Sequence, residues 1–277
     1  MRKRARTLAR PLVRGVAALA ATFIIVTAGG CMNPSMPSDL VMNLPRSPHY
    51  DELEADERVL VVLQHGLWRS SGAMWRLSRA LQAHGYEVIN TSYPSTRATI
   101  ESHAERLAKK IDEHMADVET PYDQVYYVGH SMGGLVIRTY LKSEGALAAT
   151  GIVFLGTPQR GATLAELDHD VWWFELFLGT KAARQLCLSD PFHAELAAKG
   201  KISAQHIGVL YGGKGDSEGW NPRIPGDDDG TVGASEAQLP EATATKRLPV
   251  KHTRLSFSKY MIHEVLHFLV NDTFLAD

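Results

Sequence analysis

The segment "VYYVGHSMGGLVI" places a single serine among glycines, between two apolar stretches. Residues 129–133, Gly-His-Ser-Met-Gly, match the pattern G-x-S-x-G, in which a strand turns sharply into a helix. Glycines leave room for such a turn, and the turn exposes the Ser131 hydroxyl beside a helix N-terminus, whose dipole favours negative charge. The pattern predicts a serine nucleophile, and a serine in a purely structural turn is the alternative.

A serine hydroxyl is a poor nucleophile unless a base accepts its proton, so a histidine and a carboxylate should accompany Ser131. The chain contains 12 histidines, and His252 has a distinctive position, because it follows the last strand-like run and precedes the final helix. A loop at that point lets an imidazole reach over the edge of a sheet. We therefore predict that His252 is the general base.

The acidic partner is expected between the nucleophile and the base, where the segment "GDDDGTV" supplies three candidates. Asp227, Asp228 and Asp229 are all compatible with this role. We favour Asp229, which stands directly before the Gly-Thr-Val sequence. A solvated acidic turn or a calcium-binding loop is the alternative for this segment.

Stabilising the oxyanion of a tetrahedral intermediate requires two backbone N–H donors. One is expected from Met132, the residue after the nucleophile. The other is expected from the loop "QHGLWRSSG" after the first apolar run, where Leu67 follows His65 and Gly66. We predict Leu67 and Met132 as the donors, and a structural rather than catalytic role for His65.

Strand-like and helix-like segments alternate along the chain from about residue 57. Continuous apolar runs rich in β-branched and aromatic residues predict strands that are buried on both faces. These runs occur at residues 59–64, 86–93, 124–129, 151–156, 206–212 and 247–251. Helical periodicity between them predicts parallel βαβ units, and hence an α/β fold with a mostly parallel central sheet and helices on both faces.

Five segments, in this order along the chain, resemble bacterial α/β-hydrolase lipases and esterases: "QHGLWRSSGAMWRLSRALQAHGY", "VGHSMGG", "FLGTPQRGA", "GDDDGTV" and "KHT". The resemblance covers residues 57–270. It implies the α/β-hydrolase fold, with Ser131 as nucleophile, His252 as base, Asp229 as its partner, and ester hydrolysis through an acyl-enzyme. Such chemistry needs no metal or organic cofactor. Acyl transfer to another alcohol and a non-catalytic binding role on the same scaffold are the alternatives.

The segment "HEVLH", residues 263–267, matches the zinc-protease signature H-E-x-x-H. A catalytic zinc ion needs a third protein ligand, and no histidine follows this segment in the sequence. Helical spacing instead predicts a core stripe, with the two histidines on the opposite face. The stripe consists of Ile262, Val265, Leu266 and Leu269. We therefore predict an ordinary helix without a metal site.

Residues 159–205 form a long insertion between two predicted strands, and its centre is unusually apolar. The stretch "DVWWFELFLG" carries four aromatic residues, namely Trp172, Trp173, Phe174 and Phe177. We predict a lid or cap over Ser131 that lines an apolar acyl pocket. A helix buried against the sheet is the alternative.

Residues 1–31 combine a basic start with an uncharged run, which is the pattern of an export signal. The uncharged run is shorter than the roughly 20 residues of a spanning helix. The tripeptide "VTA" fits ordinary cleavage, whereas "AGGC" resembles a bacterial lipobox with Ala28 in place of the usual leucine. Lipidation of Cys31 would attach the chain to a membrane. Ordinary cleavage would instead make a disulfide between Cys31 and Cys187 possible. A non-cleaved anchor is a further alternative.

Residues 32–56 begin with a proline-rich stretch and are predicted to be a tether, whereas residues 57–277 are predicted to be the hydrolase domain. The sequence therefore predicts an exported protein, either a membrane-anchored lipoprotein or a periplasmic or secreted form. A net charge of −2 gives no reason to expect a nucleic-acid partner. The expected partner is a small-molecule or lipid ester.

Overall fold

The computed structural model of the chain describes residues 57–169 and 181–276. The predicted export signal, the tether and Cys31 lie outside these residues, as do the four aromatic residues predicted for the lid: Trp172, Trp173, Phe174 and Phe177. Within the described ranges, no helix has the length and apolar character needed to cross a membrane. The signal, the lipid anchor and the lid aromatics therefore stay predictions.

Six strands of the described chain pair in parallel within one sheet. Their bounds are Val59–Gln64 (β1), Glu87–Thr91 (β2), Gln124–His130 (β3), Ala149–Leu155 (β4), Ala204–Gly212 (β5) and Ala244–Leu248 (β6). In space they lie in the order β2-β1-β3-β4-β5-β6. The predicted parallel sheet of an α/β fold is confirmed.

Side chains of β1 alternate between two separate clusters of the hydrophobic core. Leu60 and Val62 pack on one face of the sheet, and Val61 and Leu63 pack on the other. All four side chains have no solvent exposure. Because both faces are covered, the strand sequence is an unbroken apolar run rather than an alternating one.

Helices cover both faces of this sheet, as predicted. Their bounds are Trp75–Ala83 (α1), Ile100–Ala116 (α2), Met132–Leu141 (α3), Thr163–Asp168 (α4), Phe192–Ala198 (α5) and Lys259–Asn271 (α6). Buried residues of α1 and α6 belong to one core cluster, and those of α2, α3 and α5 belong to the other. Short 3-10 helices span Ser71–Met74, Arg184–Leu186 and His252–Ser256.

The direction in which the sheet grows reverses at β1. The chain adds β2 on one side of β1 and then returns to add β3 on the other side. Loops that leave neighbouring strands at such a switch point diverge, and they form a crevice at the carboxyl edge of the sheet. Gln64 pairs with Gly129 in register, so β1 and β3 end side by side. The loop that carries Leu67 therefore leaves the sheet next to the turn that carries Ser131.

The last strand lies earlier in the chain than predicted. It spans Ala244–Leu248 rather than residues 247–251, and it ends directly before Pro249. Proline has no N–H to donate to the ladder, so the strand stops there. Val250 is nevertheless buried, which explains why the apolar pattern appeared to continue. The polar start of this edge strand gave no apolar signal.

An ion pair with little solvent exposure connects the edge strand β6 to α6. Lys246 lies 2.9 Å from Glu264, and the two side chains are 15% and 7% exposed. The second oxygen of Glu264 accepts a hydrogen bond from the Leu275 N–H at 2.9 Å. Glu264 thus lies on the buried side of α6, and it holds the strand, the helix and the following segment together.

We expect Glu264→Ala to lower the free energy of unfolding by about 3 kcal/mol, because a buried ammonium then loses its carboxylate. Urea unfolding followed by circular dichroism measures this change. Glu113→Ala is the matched control, since Glu113 pairs with Lys110 on the exposed side of α2 at 2.6 Å and such pairs contribute little. Equal losses in the two variants would contradict the role given to Glu264.

Candidate active site

Ser131 connects β3 to α3 in a backbone conformation that residues with a Cβ rarely adopt, with φ at 55° and ψ at −130°. Its N–H donates to the Leu155 carbonyl oxygen at the end of β4, at 2.9 Å. Its own carbonyl oxygen accepts from the Gly134 N–H at 3.0 Å. This sharp strand-to-helix turn has the geometry that the G-x-S-x-G pattern predicts.

The turn at Ser131 packs directly on the backbone at the end of β1. A Cβ atom on Gly133 would overlap the Gln64 carbonyl oxygen and lie 2.5 Å from that of His65. A Cβ atom on Gly66 would lie 2.8 Å from the Cβ of Ser131. Both glycines are therefore required by close approach, and together they bring the loop after β1 against the serine.

His252 begins a 3-10 helix shortly after β6 and is buried. Its Nδ1–H donates to Oδ2 of Asp229 at 2.7 Å, which leaves Nε2 as the proton acceptor of the ring. Oδ1 of Asp229 accepts from the N–H groups of Thr231 and Val232 at 2.9 and 2.7 Å. Both carboxylate oxygens are thus engaged, and they fix the orientation of the imidazole.

The other two candidate aspartates hold the surrounding loop rather than the histidine. Asp227 accepts from the N–H groups of Lys214 and Gly215 at 2.8 and 2.9 Å. Asp228 accepts from the Asn221 N–H at 3.1 Å and is fully buried. Of the three predicted candidates, the structure therefore brings Asp229 to His252.

Two further residues, which were not predicted from the sequence, lie against His252. A Cβ atom on Gly156, which follows β4, would lie 3.2 Å from Oδ2 of Asp229 and 3.3 Å from Nδ1 of His252. His130 directly precedes Ser131, and its Nε2–H donates to the His252 carbonyl oxygen at 3.0 Å. The rings of His130 and His252 are 4.8 Å apart between centroids. The glycine in "FLGTP" was an available signal for Gly156, whereas nothing in the sequence marks the contact of His130.

The two predicted oxyanion donors stand at the adjacent ends of β1 and β3. In the part of the chain that the structure describes, the N–H groups of Leu67 and Met132 donate to no protein acceptor. The loop around Leu67 is held in place, because the Trp68 N–H donates to Oγ of Ser95 at 3.0 Å. The arrangement leaves two fixed amides free for a negatively charged oxygen.

His65 holds the loop after β1 through both of its ring nitrogens. Its Nδ1–H donates to the Gly66 carbonyl oxygen at 2.9 Å, and its Nε2 accepts from the Tyr93 N–H at 3.2 Å. The Tyr93 hydroxyl in turn donates to the His65 carbonyl oxygen at 2.7 Å, and the two rings stack at 4.3 Å. His65 therefore has the internal bonding of a structural residue.

Burial keeps two imidazoles near the serine neutral. It lowers the pKa of His65 to about 4. Burial also lowers the pKa of His130 well below its ordinary value, and the nearby charges of His252 and Arg69 add to this effect. The surroundings of Ser131 thus disfavour positive charge on these two rings.

The segment "HEVLH" lies within α6. Its Glu264 is engaged by Lys246 and Leu275, and Nδ1–H of His267 donates to the Thr273 carbonyl oxygen at 2.8 Å. Among residues 57–169 and 181–276, no three His, Cys, Asp or Glu side chains are arranged to hold a metal ion. The predicted core stripe is buried as expected: Ile262, Val265, Leu266 and Leu269.

The described parts of the predicted lid region differ in character. Phe192 and Leu196 of α5 pack into the core cluster that α2 and α3 share, so this end of the insertion belongs to the helical layer. Leu167 and Leu188 are 51% and 45% exposed. Cys187, the second cysteine of the sequence, is buried, and Cys31 lies outside the described residues.

Residues 59–247 match the model of the alpha/beta hydrolase family. The chain belongs to this family. The matched range begins with β1 and ends within β6, so it contains Ser131 and Asp229, and His252 lies just beyond it. Comparison with curated protein sequences gives no match.

Solved structures of bacterial and metagenomic hydrolases share the fold. The lipase BlEst2 of Bacillus licheniformis in its propeptide form is 20% identical, with a TM-score of 0.67 over 79% of this chain and 52% of that chain. This chain thus spans about half the length of that form. The mature form of the same lipase is 23% identical, with a TM-score of 0.56 over 80% of this chain and 92% of that chain. The metagenomic carboxyl esterase MGS0156 is 17% identical, with a TM-score of 0.53 over 72% of this chain and 65% of that chain.

In this alpha/beta hydrolase we expect Ser131→Gly to be about 1 kcal/mol more stable than Ser131→Ala. Both variants lack the hydroxyl, but glycine adopts a φ of 55° without steric cost, whereas alanine keeps a Cβ. Urea unfolding of the two proteins measures the difference. Ser78, inside α1, is the matched control, because glycine should there be less stable than alanine. The same order at both positions would contradict strain at Ser131.

We also expect the hydrolase to lose stability in mild acid through His65. The unfolded chain binds a proton at this residue near pH 6.5, but the folded chain does so only near pH 4. The stabilising contribution is therefore complete above pH 6.5 and is lost as the pH falls to 4, at a total of about 3 kcal/mol. Unfolding free energies measured between pH 6.5 and 4.5 should fall less steeply in His65→Gln than in the wild type. Parallel slopes would contradict this assignment.

Proposed function

We propose that this protein is a serine hydrolase that cleaves carboxylic esters, with Ser131 as nucleophile, His252 as general base and Asp229 as its orienting partner. The observation that carries the proposal is the 2.7 Å hydrogen bond from His252 Nδ1 to Asp229 at the sheet edge where the strained Ser131 lies. Membership of the alpha/beta hydrolase family supports it. Two of the similar solved structures are a lipase and a carboxyl esterase, which supports an ester as the substrate.

The proposed reaction uses the fixed groups of the site in sequence. Nε2 of His252 takes the Ser131 proton while Oγ attacks the ester carbonyl carbon, and the amides of Leu67 and Met132 bind the resulting oxyanion. The alcohol leaves with the proton from His252, and an ester forms between the acyl group and Ser131. A water molecule, activated by His252, then attacks this ester and releases the acid. No metal or organic cofactor takes part in the proposed steps.

We expect a fluorophosphonate probe to label wild-type protein with a single adduct on Ser131, as measured by intact mass and peptide mapping. Ser131→Ala should give no adduct and no hydrolysis of p-nitrophenyl butyrate. Asp229→Asn should lower kcat by about 10³- to 10⁴-fold, because the amide no longer holds the imidazole in its active tautomer. Folded wild-type protein that neither reacts with the probe nor cleaves esters would refute the proposal.

Two controls separate this mechanism from its alternatives. Asp227→Asn removes a neighbouring carboxylate, which accepts hydrogen bonds from the N–H groups of Lys214 and Gly215 in the surrounding loop. The kcat of this variant should stay near that of the wild type. Activity should also persist after treatment with a strong metal chelator, since no step is assigned to a metal. A loss of activity in the chelated sample would support metal-dependent hydrolysis instead.

A further inference from the structure

Arg69 occupies a fixed position in the loop that carries the predicted oxyanion donor. It stands two residues after Leu67, and its neighbours in sequence are tethered to the next loop. The Trp68 N–H donates to Ser95 at 3.0 Å, and the Ser71 N–H donates to Oγ of Ser92 at 2.9 Å. The same loop contacts the nucleophile through Gly66, as described above. The backbone of Arg69 is thereby held near the catalytic edge of the sheet.

Among the residues that the structure describes, the guanidinium of Arg69 has no anionic partner. Its side chain is half-buried, yet no hydrogen bond, ion pair or ring contact of Arg69 is found for the part of the chain that the structure describes. Burial lowers the pKa of this group. Arg58, which is also of restricted exposure, differs in this respect, because it pairs with Glu87 at 2.6 Å.

The charge of Arg69 acts on His130, the residue that precedes Ser131. It contributes to lowering the pKa of His130, whose ring contacts His252. An anionic group on the substrate would neutralise this charge in the ground state, which a neutral ester cannot do. The half-buried, unpaired guanidinium is therefore consistent with a substrate that supplies a negative charge.

We propose that Arg69 binds an anionic group, a carboxylate or a phosphate, carried by the ester substrate next to the scissile carbonyl. This inference rests on the proposed function and names its substrate class as anionic esters. A planar guanidinium suits both anions, because it can donate two parallel hydrogen bonds to either. The group can belong to the acyl part or to the alcohol part of the ester, and the experiment distinguishes the two.

The experiment compares matched pairs of esters. Ethyl butanoate and monoethyl succinate differ by a carboxylate in the acyl part, and 2-(butanoyloxy)ethanol and its phosphate monoester differ by a phosphate in the alcohol part. For one of these pairs, we expect the wild type to cleave the anionic member with a kcat/KM at least about ten-fold above that of the neutral member. Arg69→Gln should abolish this preference, and Arg69→Lys should restore part of it.

Arg79→Gln is the matched control, because it removes the same charge from an exposed position of α1 and should keep the wild-type preference. Three results would overturn the proposal: no anionic preference in the wild type, an unchanged preference in Arg69→Gln, or equal slowing of neutral and anionic esters. The last result would assign Arg69 to the oxyanion instead. A failure of the proposed function is distinguishable, since the wild type would then cleave no ester and Ser131 would not react with a fluorophosphonate.

Discussion

Contact between the backbone at the end of β1 and the first turn of α3 is the constraint on which the site depends. Gly133 leaves no space for a side chain against the carbonyl oxygens of Gln64 and His65. This contact places the loop after β1 beside Ser131, where two neighbouring strands end at the reversal of the sheet. The unfavourable φ and ψ of the serine persist because β3, α3 and the Leu155 carbonyl oxygen fix the turn from different sides.

The predicted base is supplied by the segment after the strand at one edge of the sheet. His252 follows the edge strand β6, and two strands, β4 and β5, separate that strand from β3. Asp229 accepts a hydrogen bond from His252, and Gly156, at the end of β4, leaves space for the side chains of these two residues. Burial meanwhile keeps His65 and His130 neutral. Among the described residues the cation of Arg69 has no partner, and the proposal of an anionic substrate rests on this observation.

The sheet and the residues of the site were predictable to different degrees. Strands buried on both faces produce unbroken apolar runs, so five of the six predicted runs coincide with strands, whereas the polar edge strand β6 was placed too late. The order of motifs predicted Ser131 and His252, together with an acidic partner among three adjacent aspartates. The preference for Asp229 rested on its place before Gly-Thr-Val and on the family resemblance, not on a physical contact. The contacts of Gly156 and the burial of Glu264 depend on residues that are distant in the sequence. The local sequence pattern therefore does not predict them.

Because His252 follows the edge strand β6, the predicted base is synthesised later than the predicted nucleophile. The segments that form β1, β3 and the turn at Ser131 leave the ribosome well before β6. A nascent chain can therefore contain Ser131 while it still lacks His252, the imidazole proposed to activate it. Under the proposed mechanism, the reactivity of Ser131 would depend on completion of the last strand, and an unfinished chain would not attack esters.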